Sequence, residues 1–158
     1  MIRFNTMTDS TFDWMEEHGY YGTGPLWDVD KPCKHGTFTY DGMKYTVVVG
    51  HYDDYWFAET TDEHLDAETQ TSELHPDIAL IECLSYLLAP IAFAEEGNCE
   101  DAVYRVAYDT FSIMYRNENV AYTAEWPTGE HEMLMLGIMN HFARKAVKFF
   151  AADLWQEF

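Results

Sequence analysis

Hydrophobic and polar positions follow two different spacings along the chain, and the change occurs near residue 60. In the first part, "TFTYDGMKYTVVVG" (37–50) and "YWFAET" (55–60) are rich in β-branched and aromatic residues, which favours three antiparallel strands. Asp41-Gly42, between the first two runs, is a strong hairpin signal. The polar stretch "TTDEHLDAETQTSELH" (60–75) has few apolar residues and predicts an exposed loop or a short surface helix.

After residue 75 the apolar residues recur at helical spacing. We expect a first helix that is capped near His75, has Pro76 in its first turn, and ends at Gly97-Asn98. Two further helices follow, and we expect the last one to be broken near Gly137.

The two ends of this pattern complete the predicted fold. "DSTFDWMEEHG" (9–19) has the cap, acids and terminal glycine of a short helix, and "VAYTAEWP" (120–127) favours a fourth strand. The predicted fold class is α+β, with a small antiparallel sheet of three to four strands packed with a short N-terminal helix and three C-terminal helices. The length fits a single domain over residues 1–158.

The charge of the chain is its most unusual property. It has 28 Asp and Glu residues against 9 Lys and Arg, a formal charge of −19. Residues 45–104 contain fourteen of the acids and no Lys or Arg. The 16% aromatic content argues against a disordered acidic chain and against simple salt adaptation. Because such charge destabilises a fold through self-repulsion, we expect it to serve a positively charged partner.

Direct nucleic-acid binding and a membrane location do not fit this sequence. Only Arg144, Lys145 and Lys148 cluster, too few for a phosphate-binding surface. The most apolar run, 78–94, is shorter than the roughly 20 residues that span a bilayer and contains Glu82. It predicts a buried helix, with Glu82 at the helix edge. Three cysteines without CxxC spacing indicate a reducing cytoplasm.

Common catalytic motifs are missing from the chain. HExxH, GxSxG, the phosphate-binding GxxxxGK[ST] and the dinucleotide-binding GxGxxG are all absent. We therefore name no catalytic residue and no cofactor. One enzymatic alternative stays open, in which two or three acidic and histidine side chains gather a metal ion. Its candidate ligands are His51, Asp53, Asp54, Glu63, His64 and Asp66.

A positively charged cleft that normally holds DNA is the partner that best matches the acidic residues. B-DNA carries one phosphate charge per roughly 1.7 Å of its axis. Carboxylates four residues apart on a helix lie about 6 Å apart along the axis, so Asp62 with Asp66, and Glu96 with Glu100, would suit such a cleft if both segments are helical. The candidate partner-binding residues are Asp53, Asp54, Glu59, Asp62, Glu63, Asp66, Glu68, Glu73, Asp77, Glu95, Glu96, Glu100 and Asp101.

One segment resembles a known family. "SELHPDIALIECLSYLLAPIAFAEEGN", which follows a small predicted sheet and an acidic connector, looks like the corresponding helix start in plasmid-borne antirestriction proteins of the KlcA/ArdB type. The matching positions are Glu73, Pro76, Asp77, Ala79 and Ile81. The resemblance implies counter-defence in a mobile element, which agrees with the interpretation from charge that the protein inhibits a DNA-acting host enzyme.

Two further interpretations remain beside inhibition by DNA mimicry. An acidic adaptor would have the same composition without imitating DNA, since charge runs usually form a solvated face. A homodimer through the C-terminal helix is also open, although docking into the chain's own core is the commoner outcome. The apolar residues that would serve either role are Phe149, Phe150, Leu154, Trp155 and Phe158.

Overall fold

The computed structural model describes residues 3–4, 8–10, 17, 33–52, 54–64, 68–73, 75–115 and 130–156. It contains one antiparallel sheet and three helices. The strands are β1 (Arg3–Phe4), β2 (Thr8–Ser10), β3 (Cys33–Tyr40), β4 (Met43–Tyr52), β5 (Tyr55–Asp62) and β6 (Glu68–Glu73). The helices are α1 (Pro76–Glu96), α2 (Cys99–Tyr115) and α3 (Glu130–Gln156). The α+β class and the three C-terminal helices are therefore confirmed.

The sheet follows chain order from β3 to β6, while β1 and β2 both pair with β3. The predicted hairpin is present: Tyr40 pairs with Met43, and Asp41 and Gly42 have φ angles of 53° and 79°. Positive φ at both central residues suits the right-handed twist of the two strands. The three long strands β3, β4 and β5 are thus those that the apolar pattern predicted.

Strand β6 contradicts the prediction of a loop or short helix at residues 60–75. Its sequence, ETQTSE, has no apolar residue, yet it pairs with β5 from Thr61↔Glu68 to Trp56↔Glu73. Backbone hydrogen bonds make this pairing, and they do not require a hydrophobic alternation. The sheet of the described residues has six strands and is wider than the three to four expected.

Helix α1 begins and ends where the sequence predicts. The Nδ1 atom of His75 accepts a hydrogen bond from the backbone N–H of Asp77 at 3.3 Å, and Pro76 occupies the first turn. Gly97 ends the helix with a φ of 73°, and its N–H donates to the carbonyl of Phe93. These contacts satisfy backbone groups that a helix end would otherwise leave unpaired.

The apolar core lies between one face of the sheet and the helices. By length and composition α1 could cross a bilayer, but about two thirds of its apolar segment is buried inside the fold. Leu84 and Leu88 of α1 are fully buried, as are Val47 of β4 and Met139 of α3. The prediction of a buried helix at residues 78–94 is confirmed.

Helix α3 is continuous through Gly137, so the predicted break there is wrong. Its apolar residues dock into the chain's own core, with Met135, Ala143 and Val147 buried. The predicted N-terminal helix lies outside the described residues, apart from Glu17 and two residues of β2, and so does the predicted strand at 120–127.

Candidate protein-interaction surface

The antiparallel order of the sheet distributes its turns between two opposite ends. The turn at Asp41-Gly42 and the turn at Glu63-His64 lie at one end, because Tyr45 pairs with Asp62. The turn that contains Asp54 lies at the other end. Strand β5 separates the two ends with eight residues, about 26 Å at 3.3 Å per residue.

This separation divides the described candidate ligands of a metal ion into two groups, with His51 and Asp54 at one end of the sheet and Glu63 and His64 at the other. His51 pairs with Trp56 beside the Asp54 turn, whereas Glu63 and His64 lie beyond the far end of β5. Ligands of one metal ion must lie within a few ångströms of one another. Among the described residues, no group of three or more His, Cys, Asp and Glu side chains is placed to hold a metal ion.

The junction of α1 and α2 carries a second group of acids. Glu95 and Glu96 end α1, and Glu100 and Asp101 begin α2; all four are exposed. Asn98 caps α2, because its Oδ1 accepts a hydrogen bond from the backbone N–H of Asp101 at 2.9 Å. Acids in the first turn of α2 also interact favourably with the positive end of the helix dipole.

Tyr40 and Arg105 attach this junction to the Asp41 end of the sheet. The Tyr40 hydroxyl, one residue before Asp41, donates to Oδ2 of Asp109 at 2.5 Å. Arg105 donates from Nη2 to the Tyr40 oxygen at 3.2 Å and from Nη1 to Glu95. The acids of the helix junction and those of the two turns therefore lie at one end of the molecule.

We call this region the acidic end. It has six exposed carboxylates. Lys44, which is exposed, and Arg105, which is half-buried, lie among them, and the backbone of Arg3 in β1 pairs with Thr39 at the same end of the sheet. The six carboxylates belong to Asp41, Glu63, Glu95, Glu96, Glu100 and Asp101. Sequence reasoning missed Asp41, although the hairpin signal at Asp41-Gly42 placed it at the same end as Glu63.

Arg105 holds three carboxylates together at the acidic end. Besides Glu95, its guanidinium contacts Glu96 at 3.5 Å and Asp109 at 3.5 Å. The hydrogen bond with Glu95 is the largest cause that raises the pKa of Arg105 further above its usual range. Burial, followed by the hydrogen bond to Asp109, raises the pKa of Tyr40, so the phenol stays protonated and remains a donor.

Three of the predicted partner-binding acids are buried, which corrects their assignment. Glu59 is 3% exposed opposite Val48 in β4, and Asp62 is 7% exposed and accepts from the backbone N–H of His64. Asp77 is 1% exposed, with a carboxylate oxygen 3.7 Å from His75 Nδ1. These side chains contribute to the interior and to helix capping, so they are not part of an exposed charged surface.

The remaining candidates divide between the two ends. Glu63, Glu95, Glu96, Glu100 and Asp101 lie at the acidic end, whereas Asp54 lies at the opposite end and Glu73 ends β6 there. Asp53 and Asp66 lie outside the described residues, and of Glu68 the backbone alone is described.

The helical spacing expected for two acidic pairs is wrong. Glu96 and Glu100 belong to different helices, because Gly97 ends α1 between them. Asp62 lies in a strand. The grouping of acids at this end results from tertiary contacts and not from a helical repeat.

Glu82 is buried, although the sequence favoured the edge of its helix. It is 7% exposed and lies 3.6 Å from the Lys145 ammonium. Burial raises the pKa of its carboxyl to about 7; the hydrogen bond and the negative charge of Glu73 add to this increase, and Lys145 opposes it. Near neutral pH, part of the Glu82 carboxyl is therefore protonated and can donate a hydrogen bond to Glu73.

On its α3 side the acidic end borders a basic groove of about 470 Å³ between α2 and α3. Arg144 and Lys148 line this groove together with Glu100 and the exposed ring of Tyr104. The sign of the charge therefore changes across Glu100. The negative charge of the acidic end is therefore confined to one region of the surface and does not extend into this groove.

No family model matches the chain, and neither the curated proteins nor the solved structures gave a match to it. The geometry and charge of the described residues are therefore the basis for a functional proposal.

Proposed function

We propose that this protein uses the acidic end to bind the basic nucleic-acid-binding surface of another protein, and inhibits a host defence or DNA-acting enzyme by DNA mimicry. The observation that supports this proposal most directly is the convergence of six exposed carboxylates from two turns and two helix ends. They come from separate parts of the sequence and meet at one end of the molecule.

The expected mechanism is competition for a basic cleft. A cleft that binds DNA collects Lys and Arg side chains to neutralise phosphates, and exposed carboxylates interact with the same cations. Long-range attraction between this protein, with its net charge of −19, and a basic surface increases the association rate by about one to three orders of magnitude at low salt. Inhibition then follows because DNA and the acidic end cannot occupy one cleft together.

The acidic end is also preorganised. Glu95, Glu96 and Asp109 are held by Arg105, and Asp101 is fixed by the Asn98 cap. Side chains that are already ordered lose less conformational entropy on binding, which favours affinity. A disordered acidic tail would have to lose that entropy for every carboxylate it uses.

Partner capture with competition tests the proposal. The tagged protein is incubated with bacterial lysate at about 50 mM and at about 500 mM salt, with and without duplex DNA. Bound proteins are identified by mass spectrometry. We expect a basic DNA-binding protein or complex that is retained at low salt and displaced both by DNA and by salt. A partner that DNA does not displace would contradict mimicry and would support the acidic adaptor instead.

A matched pair of substitutions locates the binding surface. Asp41 and Asp54 are both exposed, both lie in hairpin turns, and have φ angles of 53° and 65°. Asparagine tolerates this conformation, so Asp41→Asn and Asp54→Asn each remove one charge with little strain. We expect D41N to weaken capture, and its combination with E63Q and E96Q to weaken capture at least tenfold. D54N should leave capture unchanged, and equal effects of D41N and D54N would reject the acidic end as the surface.

A further inference from the structure

A second site lies at the opposite end of α1 and is independent of the proposed function. It is a groove of about 510 Å³ formed by α1, α3 and the end of β6. Its walls are apolar, with Ile78 from α1 and Leu134, Ile138 and Phe142 from α3, and Glu73 contributes a carboxylate. Grooves of this volume, apolar with a few polar groups, are typical of small-molecule sites.

Gly137 lines this groove, and nothing in the fold requires a glycine there. It lies inside the 27-residue helix α3, and a Cβ atom added to it would meet no atom within 4 Å. A glycine in a helix interior costs roughly 0.5–1 kcal/mol relative to alanine. The missing side chain leaves room in the groove, beside Met133 and Leu134, which are 72% and 57% exposed.

The carboxylate in the groove is half of a pair. Glu73 accepts a hydrogen bond from the protonated carboxyl of Glu82, which is buried behind it on α1. Lys145 lies 3.6 Å from Glu82, but its side chain is 56% exposed. One proton and one solvated ammonium therefore balance two carboxylates. A cation that entered the groove would find Glu73 available once that proton had left.

We propose that this groove binds a small apolar molecule that ends in an amine. Its apolar part packs on Ile78, Ile138 and Phe142, over the space beside Gly137. Its ammonium group forms an ion pair with Glu73 and replaces the hydrogen bond that Glu73 accepts from Glu82, which then loses its proton. That proton passes to solvent, so the charge of the pair is balanced before and after binding.

Proton release makes binding depend on pH in a defined direction. The groups concerned are Glu73 of β6, Glu82 of α1, and Lys145 and His141 of α3, the last of which also lines the groove. Below neutral pH the carboxyl of Glu82 keeps its proton and its hydrogen bond to Glu73, which weakens binding of the ammonium group. Above neutral pH Glu82 is ionised, and binding reaches its maximum.

Calorimetric titration of the full chain with n-octylamine tests the proposal, with octanoate as a ligand of the same apolar length and opposite charge. Octylamine should bind at least tenfold more tightly than octanoate. Because the proton to be displaced has a pKa of about 7, its affinity should be about tenfold higher at pH 8 than at pH 6. Titration in two buffers of different ionisation enthalpy should show the release of about one proton at pH 6 and of almost none at pH 8, where Glu82 is already ionised.

Two variants separate the groove from the general negative charge of the chain. Gly137→Leu fills the groove and favours the helix, so it should remove octylamine binding while the protein stays folded. Glu73→Gln should weaken octylamine binding at least tenfold and remove its pH dependence. The proposal is overturned if octylamine binds G137L as well as the parent chain, if octanoate binds equally well, or if octylamine does not bind at pH 8.

Discussion

The hydroxyl of Tyr40 donates a hydrogen bond to Oδ2 of Asp109 at 2.5 Å and thereby joins β3 to α2. A hydrogen bond to a charged acceptor contributes about 1–3 kcal/mol. We expect Tyr40→Phe to lower the free energy of unfolding by that amount, measured by urea denaturation. Tyr104→Phe is the control, because that ring is 66% exposed; its effect should stay within about 0.5 kcal/mol. If Tyr40→Phe and Tyr104→Phe lower the free energy of unfolding equally, the hydrogen bond between Tyr40 and Asp109 does not stabilise the fold.

Arg105 should stabilise the protein most strongly at low salt. Its removal in Arg105→Met leaves Glu95, Glu96 and Asp109 close together without the cation they share. We expect a loss of about 1–3 kcal/mol in dilute buffer that becomes smaller in about 1 M NaCl, where the screening length falls to about 3 Å.

The exposed Arg144 supplies the control for this measurement. Arg144→Met also removes one positive charge but breaks none of the Arg105 contacts, so it should change stability by less than about 1 kcal/mol. A loss in Arg105→Met that does not depend on salt would indicate lost packing in place of lost charge pairing.

Glu82 should make the protein less stable as the pH rises towards neutrality. Its carboxyl has a pKa of about 7 in the folded chain against a usual value of 4.5. The stabilising contribution of the protonated form is therefore fully present below about pH 4.5 and is lost as the pH rises through about 7. Glu82→Gln keeps a neutral group and should be about 1–3 kcal/mol more stable than the parent at pH 8, but equal to it near pH 4.

Urea denaturation across this pH range checks the prediction for Glu82. Glu100→Gln serves as the control, since Glu100 is exposed on α2. Its difference from the parent should show no step near pH 7. Parallel stability curves for the parent and Glu82→Gln would contradict a raised pKa for the buried carboxyl.

Two glycines should respond to alanine in opposite directions. Gly137 lies in a helix interior with open space around its Cα, so Gly137→Ala should stabilise the protein by roughly 0.5–1 kcal/mol. Gly97 ends α1 with a φ of 73°, which an alanine adopts only with strain, so Gly97→Ala should destabilise by about 1 kcal/mol. Thermal unfolding of both variants measures the two shifts, and a destabilised Gly137→Ala would show that the groove is filled by the chain itself.

The parts of the fold that were predictable from sequence are those fixed by local chemistry. Asp41 and Gly42 specify the hairpin because both adopt the positive φ angles that this turn requires. His75 and Gly97 specify where α1 begins and ends, because they cap backbone groups that the helix itself leaves unpaired. Strand β6 was not predictable in this way, because its pairing with β5 uses the backbone and leaves no apolar pattern.

The acidic character of the candidate site was predictable from sequence, but the burial of its individual side chains was not. A run of acids does not state which carboxylates point inward, so Glu59 and Asp77 were assigned to a surface from which the fold removes them. The helix junction at Glu95 and Glu100 was recognised, but its attachment to the sheet depends on Arg105, which lies 65 residues from Tyr40 in sequence. Contacts at such separation cannot be inferred from spacing along the chain.

The position of β6 affects how this protein behaves at high concentration. Among the described strands it ends the order of the sheet, with β5 as its neighbour. An edge strand presents unpaired backbone N–H and C=O groups to any extended chain nearby, and such pairing can start aggregation. Its sequence, ETQTSE, starts and ends with glutamate and has no apolar side chain, so a second copy would bring like charges together and gain little buried area. The charge of the chain should therefore also keep separate copies apart at this edge of the sheet.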